Sequence, residues 1–433
     1  QLALAIAERM RGAGRPLCVQ PNAGLPRTVD GRLLYMATPE YFGVYARRYF
    51  KAGVSIVGGC CGTGPEHIRR IVAAARMMGG GSVERPVSRL SVVQLSAEGG
   101  LEAVPPAERT SLASKIFRVY DERVKAREPV AVTPENFVVS VEVNAPSGLD
   151  PSAKIEAARL LKAGGVDVLN IADGPRASAR MSNWALALEF QHELDTEVIL
   201  HVCGRDRNLL GLQMDILAYH VVGLHNLVVI TGDPPKVGDY PHATAVFDLD
   251  SVGILRLVEN FNYGVDPAGK DFGEPTKFLC ACGAEPAASD YDREIRRLEL
   301  KKDAGAQFIM TQPVYDQAVL ERFLRDIAHL DMPVLVGLLP LASYRNAEFL
   351  HNEVPGMAVP EDIRARMKAA GTGSRARAEG VKIAQETLLE VQDRVVGAYV
   401  MPPFGRYVAA LEILECVGYD IPESSGASAE REG

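Results

Sequence analysis

Two groups of residues in this chain have types and spacings that could do chemistry. The first is compact. GGCCGTGPEH, from Gly58 to His67, sets Cys60 and Cys61 side by side at the end of the apolar run VSIV. Adjacent thiols at a strand end suit a metal, and a zinc held for catalysis takes three protein ligands and keeps a fourth position open. The nearest third cysteine is Cys18, four residues before Asn22 and low on its own strand. At about 3.3 Å per residue it lies roughly 13 Å from the rim. A Zn–S bond is about 2.3 Å, so within this chain the pair reads as an incomplete metal site.

The second group is dispersed. Glu142, Asp173, His201 with Cys203, Thr231-Gly232-Asp233, Cys280 with Cys282, Thr311-Gln312 and Arg406 each lie at or near the end of a short apolar run. Carboxylates, a histidine, an amide and a guanidinium converging on one rim would make a catalytic inventory. Singly each is weaker evidence. Glu142, inside SVEVN, points either into a shared mouth or out at a helix, and an inward carboxylate is costly to bury unless it is used. TGDPP brings backbone close to a planar ligand through Gly232, or it is a plain turn with an N-capping Asp233. Cys203, Cys280 and Cys282 are compatible with a metal site, and more simply with small core fillers.

The elements that must position these residues recur along the chain. FVVSVEV, VDVLNIAD, EVILHVCG, NLVVITGD, FLCACG, FIMTQPV, PVLVGLLP and GAYVMPP are continuous apolar runs, and helix-period segments such as PSAKIEAARLLKAG and RNLLGLQMDILAYHV lie between them. Such alternation specifies a parallel sheet covered by helices. Eight units fit an α/β fold of the (β/α)8 TIM barrel type, with function at the C-terminal strand ends. Upstream, LCVQPNAG and VSIVGGCCG are two more strands, each followed by a helical segment. Two βα units cannot close a barrel, so they are expected to be the last two units of a second, truncated (β/α)8 barrel. The expected domains are residues 1–80 for that piece, 81–135 for a linker with a helix, 136–425 for the complete barrel and 426–433 for a disordered tail.

Composition narrows the function further. The 433 residues are 47% hydrophobic and 24% charged, with a net charge of −8. That charge, without any basic run interleaved with aromatics, argues against a nucleic-acid partner. No apolar stretch approaches the 18 or so residues that span a bilayer, so no membrane association is expected. Seven cysteines without a secretory signal read as reduced cytoplasmic thiols. No GxGxxG follows the first strand and no GxxxxGK[ST] occurs, so a Rossmann-type nucleotide grip is not indicated. GTGSRA, from Gly371, reads as a loop.

Longer segments carry a resemblance. LHVCGRDRNLLGLQMDILAYHVVGLHNLVVITGDPPKVGDYPHATAVFDLDSVG, LKKDAGAQFIMTQPVYD, GLLPLASYRNAEFLHNEVPG and MPPFGRY resemble the methylenetetrahydrofolate reductase family. PNAGLP and GGCCGTGPEHI resemble the C-terminal end of the zinc-dependent homocysteine S-methyltransferase family, and the order matches bacterial fusions of the two. The resemblance implies FAD at the barrel mouth, NAD(P)H as reductant and a folate substrate, in a homo-oligomer. It implies Glu142 as general acid and Asp233 as the charge beside the developing cation. His201, Thr231, Gly232, Asp233 and Lys301 fall at cofactor-binding positions, and Gln312, Tyr344 and Arg406 at substrate-binding positions. Cys60 and Cys61 would be two zinc thiolates of the transferase, which acts on homocysteine in a longer protein. HVCG, CACGAEP and APSG depart from the reductase pattern around the flavin. The alternative is a folate-binding barrel that has lost flavin redox and serves a methyltransferase partner.

Overall fold

The computed structural model describes residues 2–10, 15–24, 26–29, 32–35, 37–77, 101–126, 130–354 and 357–422. Residues 81–100 of the expected linker and the expected tail 426–433 lie outside them. The chain divides into two compact units, 1–89 and 90–433.

The first unit contains α1 (Leu2–Met10), β1 (Leu17–Val19), β2 (Pro26–Val29), β3 (Arg32–Tyr35), α2 (Pro39–Lys51), β4 (Val54–Val57) and α3 (Pro65–Met77). β1 and β4 pair in parallel, as two consecutive βα units should. Thr38 starts α2 by accepting the Tyr41 N–H, with Pro39 at the first helical position. Phe42 and Ala46 of α2 pack on Ile71 and Ala74 of α3. The antiparallel β2–β3 pair was not anticipated. Its signal is the Asp30-Gly31 dipeptide between the two runs, which favours tight hairpins.

The second unit opens with α4 (Ser111–Val119) and continues β5 (Val138–Glu142), α5 (Ser152–Ala163), β6 (Val168–Ile171), α6 (Asn183–Leu194), β7 (Val198–Cys203), α7 (Leu209–Val221), β8 (Asn226–Ile230), α8 (Ser251–Asn262), β9 (Leu279–Ala284), α9 (Tyr291–Asp303), β10 (Phe308–Thr311), α10 (Gln317–Asp326), β11 (Val334–Leu338), α11 (Tyr344–Glu353), α12 (Glu361–Ala370), α13 (Gly373–Val391), β12 (Gly397–Val400) and α14 (Val408–Leu414). The eight strands β5 to β12 form one closed, all-parallel barrel in chain order, so the expected (β/α)8 architecture is what the chain adopts. Side chains alternate along each strand. Val139, Val141, Leu200 and Val202 join the outer core with the helices, whereas Val138, Val168, Ile199 and Phe308 fill the barrel interior. GTGSRA is not the loop its composition suggests, because α13 begins at Gly373.

The barrel floor is closed by α4, which lies in the stretch expected to be linker with a helix. Leu112, Ala113, Ile116 and Val119 pack into the interior cluster. The Glu197 carboxylate accepts both the Ser111 and Leu112 N–H groups at 2.9 Å, placing negative charge at the helix N-terminus where its dipole favours it. Arg109 donates to the Phe278 carbonyl, and Arg123 to the Gln392 and Val395 carbonyls. The plug is therefore tied to the starts of several strands. Ile116→Ala should cost about 2–4 kcal/mol, read as a lower urea midpoint with an unchanged slope.

A histidine pair marks the junction of α7 and β8. The His220 and His225 rings lie 4.9 Å apart, each with an unpartnered, solvent-shielded nitrogen. Burial, then the neighbouring His220 and Lys277, bring His225 down from 6.5 to about 4. The folded ring stays neutral where the unfolded ring takes a proton, so stability should fall as pH drops from 6.5 towards about 4. Denaturation midpoints across that window should show the fall, and His225→Gln should flatten it.

Candidate active site at the barrel mouth

Glu142 is the last residue of β5, and the closure of the barrel decides where it points. β12 pairs with β5, setting Tyr399 opposite Ser140 and Val400 opposite Val141. Tyr399 and Glu142 therefore share the inward face, and the Tyr399 hydroxyl donates to Glu142 Oε2. Asn144 Nδ2 donates to Oε1 at 2.7 Å. Burial first, then the Glu142 charge, drive the Tyr399 hydroxyl well above its ordinary value. Tyr407, after β12, is pushed up to about 12 by burial and the same carboxylate.

His201, inward on β7 in line with Ile199, has an Nε2 sealed from solvent and without a partner. Burial lowers its pKa against the opposing pull of Glu142 and Asp173, so the ring is neutral at neutral pH. Asn144 Oδ1, Asn170 Oδ1 and Arg180 Nε are likewise buried and unpartnered. Arg180 donates to the Ala145 carbonyl at 3.0 Å and faces Tyr407 electrostatically. Buried polar atoms in native proteins are nearly always satisfied. Four unsatisfied ones on the barrel's inner face and the loops around Glu142 mark where a polar ligand would be met.

The end of β8 supplies the opposite wall. Gly232 has φ +87°, and a Cβ there would fall 2.9 Å from Cys203 Cβ, so only glycine fits. Thr231 Oγ lies 3.4 Å from Ser251 Oγ. Asp233 is exposed, and its Oδ2 accepts the Arg176 N–H at 3.0 Å. Arg176 and Ala177 both adopt left-handed backbone, a strained turn that Asp233 pins.

Other strand-end residues are already engaged. Asp173 takes Arg207 Nη1 at 2.6 Å and both the backbone N–H and thiol of Cys203, so it is an ion-pair partner rather than a free carboxylate. Cys203 is pushed up to about 12, first by burial and then by Asp173. Cys280 and Cys282 belong to the outer core, away from that contact. Lys301 is buried on α9, donating to the Gly283 carbonyl at 2.7 Å and lying 3.9 Å from Glu294. Gln312 is exposed, its backbone N–H bonded to the Ala284 carbonyl. Tyr344 opens α11 and packs on a separate cluster with Leu341, Ala347 and Leu350. Arg406 lines a cavity behind the β12 loop. The mouth thus brings Glu142 and His201 together. Lys301 and Tyr344 are held by contacts of their own.

Tyr399, Asn144, Arg180 and Tyr407 were missed from sequence. Only Tyr399 carried a signal, a tyrosine at an inward period within GAYVMPP. In the first unit, Cys60 and Cys61 are exposed with Sγ atoms 3.9 Å apart, and Asn22 Oδ1 accepts the Cys61 N–H. Among the described residues no group of three His, Cys, Asp or Glu side chains is placed to hold a metal. None of their helices is long and apolar enough to cross a membrane.

Comparison with known proteins bears on both units. Residues 2–75 match the homocysteine S-methyltransferase family model. A methionine synthase of Mycobacterium leprae is 33% identical over 114 residues, 24% of this chain and 9% of that protein. A probable methylenetetrahydrofolate reductase (NADH) of Oryza sativa is 26% identical over 165 residues, covering 37% of this chain and 27% of that protein. A probable methylenetetrahydrofolate reductase (NADPH) of Caenorhabditis elegans is 25% identical over 180 residues, 40% of this chain and 26% of that protein. The chain spans 24–34% of the length of the reductases it matches. Residues 128–418, about two thirds of the chain, match the methylenetetrahydrofolate reductase family model, and the chain belongs to that family.

Proposed function

We propose that the barrel reduces 5,10-methylenetetrahydrofolate to 5-methyltetrahydrofolate with FAD as cofactor and NAD(P)H as reductant. The observation that carries this is the inward carboxyl of Glu142, oriented by Tyr399 and Asn144 among unsatisfied buried polar atoms. Those atoms fit a flat, hydrogen-bonding ring system. His201, Thr231 and Gly232 would hold the flavin, with Lys301 steadying the β9 edge of its site through the Gly283 carbonyl. A bound flavin supplies the two-electron redox chemistry.

The chain's own residues handle the proton and the charge. Glu142 would deliver a proton to the folate nitrogen as the methylene bridge opens to an iminium. The Tyr399 and Asn144 donors keep the carboxyl aimed and stabilise its anion once the proton has left. Asp233 keeps one oxygen on the Arg176 N–H and would set its charge beside the cationic iminium. Gln312 and Arg406 would meet the folate, and Tyr344 would act through the helix it begins. A homo-oligomer in the cytoplasm completes this reading. In a longer protein, Cys60 and Cys61 would supply two thiolates of a zinc that activates homocysteine for methylation.

The test begins with a visible spectrum. The purified protein should be yellow and bleach with NADH or NADPH; a colourless protein that FAD cannot reconstitute overturns the proposal in favour of a folate-binding barrel. Glu142→Gln should lower folate reduction by about 10²–10⁴-fold while leaving bleaching by NAD(P)H intact. Tyr399→Phe should reduce the rate about tenfold.

A further inference from the structure

At the end of the barrel away from the mouth, α7 stops and β8 begins around a pair of imidazoles. His220 lies in the last turn of α7, and His225 immediately precedes β8. Their ring centroids are 4.9 Å apart, with the ring planes at 67°. Phe278, just before β9, packs against both, 5.8 Å from His220 and 6.0 Å from His225. One nitrogen of each ring, Nδ1 of His220 and Nε2 of His225, is sealed from solvent and has no hydrogen-bond partner among the described residues. The two nitrogens therefore do not bond each other. Buried polar atoms are nearly always satisfied, so two left open in one cluster call for a ligand.

The ring separation is that of two imidazoles on one metal. With a metal–nitrogen bond of about 2.1 Å and about 1.1 Å from nitrogen to ring centre, each centroid lies about 3.2 Å from the ion. Ligand angles from about 90° to about 109° then separate the centroids by about 4.5–5.2 Å. The observed 4.9 Å falls within that span. His225 also holds the tautomer a ligand needs. It bonds the His220 backbone in the sense that favours a protonated ring, so the ring is the donor. Because Nε2 is unpartnered, the donor is Nδ1, and Nε2 keeps its lone pair. Ligating histidines commonly donate their second N–H to a carbonyl in this way. Burial, the largest influence on both rings, lowers their pKa values, so no proton competes with a metal at neutral pH. The charged neighbours have opposite signs: Lys277 faces both rings and Glu274 faces His220, and both are exposed.

We infer that His220 and His225 form a metal site, taking a divalent cation of the zinc, nickel or copper class through His220 Nδ1 and His225 Nε2. Imidazole donors suit these metals, whereas calcium and magnesium take oxygen ligands. Among the described residues no third His, Cys, Asp or Glu side chain joins the pair, so water completes the coordination. The ion would staple the end of α7 to the start of β8 across the turn at Gly223, whose φ is +82°. β8 leads at its far end to Thr231, Gly232 and Asp233, so the staple would stiffen that strand from its base. The site is separate from Cys60 and Cys61, which belong to the first unit, and it does not depend on the reductase reading.

Calorimetric titration of the full chain with zinc, after dialysis against a chelator, tests the site, with His220→Gln and His225→Gln beside the wild type. Each variant should bind one equivalent less than the wild type, whatever the cysteines take. Equal stoichiometry in all three overturns the proposal. Should glutamine unsettle the turn, ¹⁵N imidazole spectra of the wild type decide instead. Saturating zinc should shift His220 Nδ1 and His225 Nε2 together; shifts confined to the other ring nitrogens, or no shift at all, overturn the site. Zinc should also raise the melting temperature of the wild type by more than it raises that of either variant, and an undiminished rise in both variants counts against it equally.

Discussion

The pairing of β12 with β5 is the contact on which the rest of the barrel depends. Seven neighbouring pairings make a curved sheet, and only the eighth makes a ring whose strand ends share one mouth. The closing pair comes very close: a Cβ on Gly397 would sit 1.8 Å from the Val138 carbonyl oxygen. A side chain at that position would push the two strands apart where the ring shuts. The same seam carries the Tyr399–Glu142 hydrogen bond. Closure and the aiming of the Glu142 carboxyl are thus one structural event.

From that seam, polarity is graded along the barrel axis. The floor is apolar and sealed by α4, whose capping and ion-pair groups point outward to the strand starts. Midway, Ser140 and Asn170 interrupt the apolar filling, and at the top Glu142, His201 and Tyr399 face inward. Charges that would compete there are neutralised. Asp173 is bound by Arg207, which also reaches Asp215, and Arg205 pairs with Asp206 while holding the Asp173 and Gly174 carbonyls. Among the described residues of the mouth, a small set of buried polar atoms stays unpaired, the kind a ligand would satisfy.

Much of this was legible in the chain. Continuous apolar runs can be buried on both faces only in a helix-covered parallel sheet, so eight of them at regular intervals specify the barrel without any long-range information. Gly232 is legible for a local reason too, since a strand end that must lie against Cys203 has no room for a Cβ. Lys301 and Tyr344 illustrate the opposite case. Their residue types match a motif, yet a buried lysine answers first to the carbonyl beside it, and a tyrosine opening a helix to the cluster beneath it.

By itself the sequence determined the elements, because strand and helix periods and caps are set by residues within a few positions of one another. It also determined which residues stand at strand ends. Only the tertiary structure decided which of them act together, because those partners are remote. Tyr399, for instance, lies 257 residues from Glu142. Whether Glu142 faced the mouth or a helix was a question of register, and register across a barrel exists only once the ring is closed.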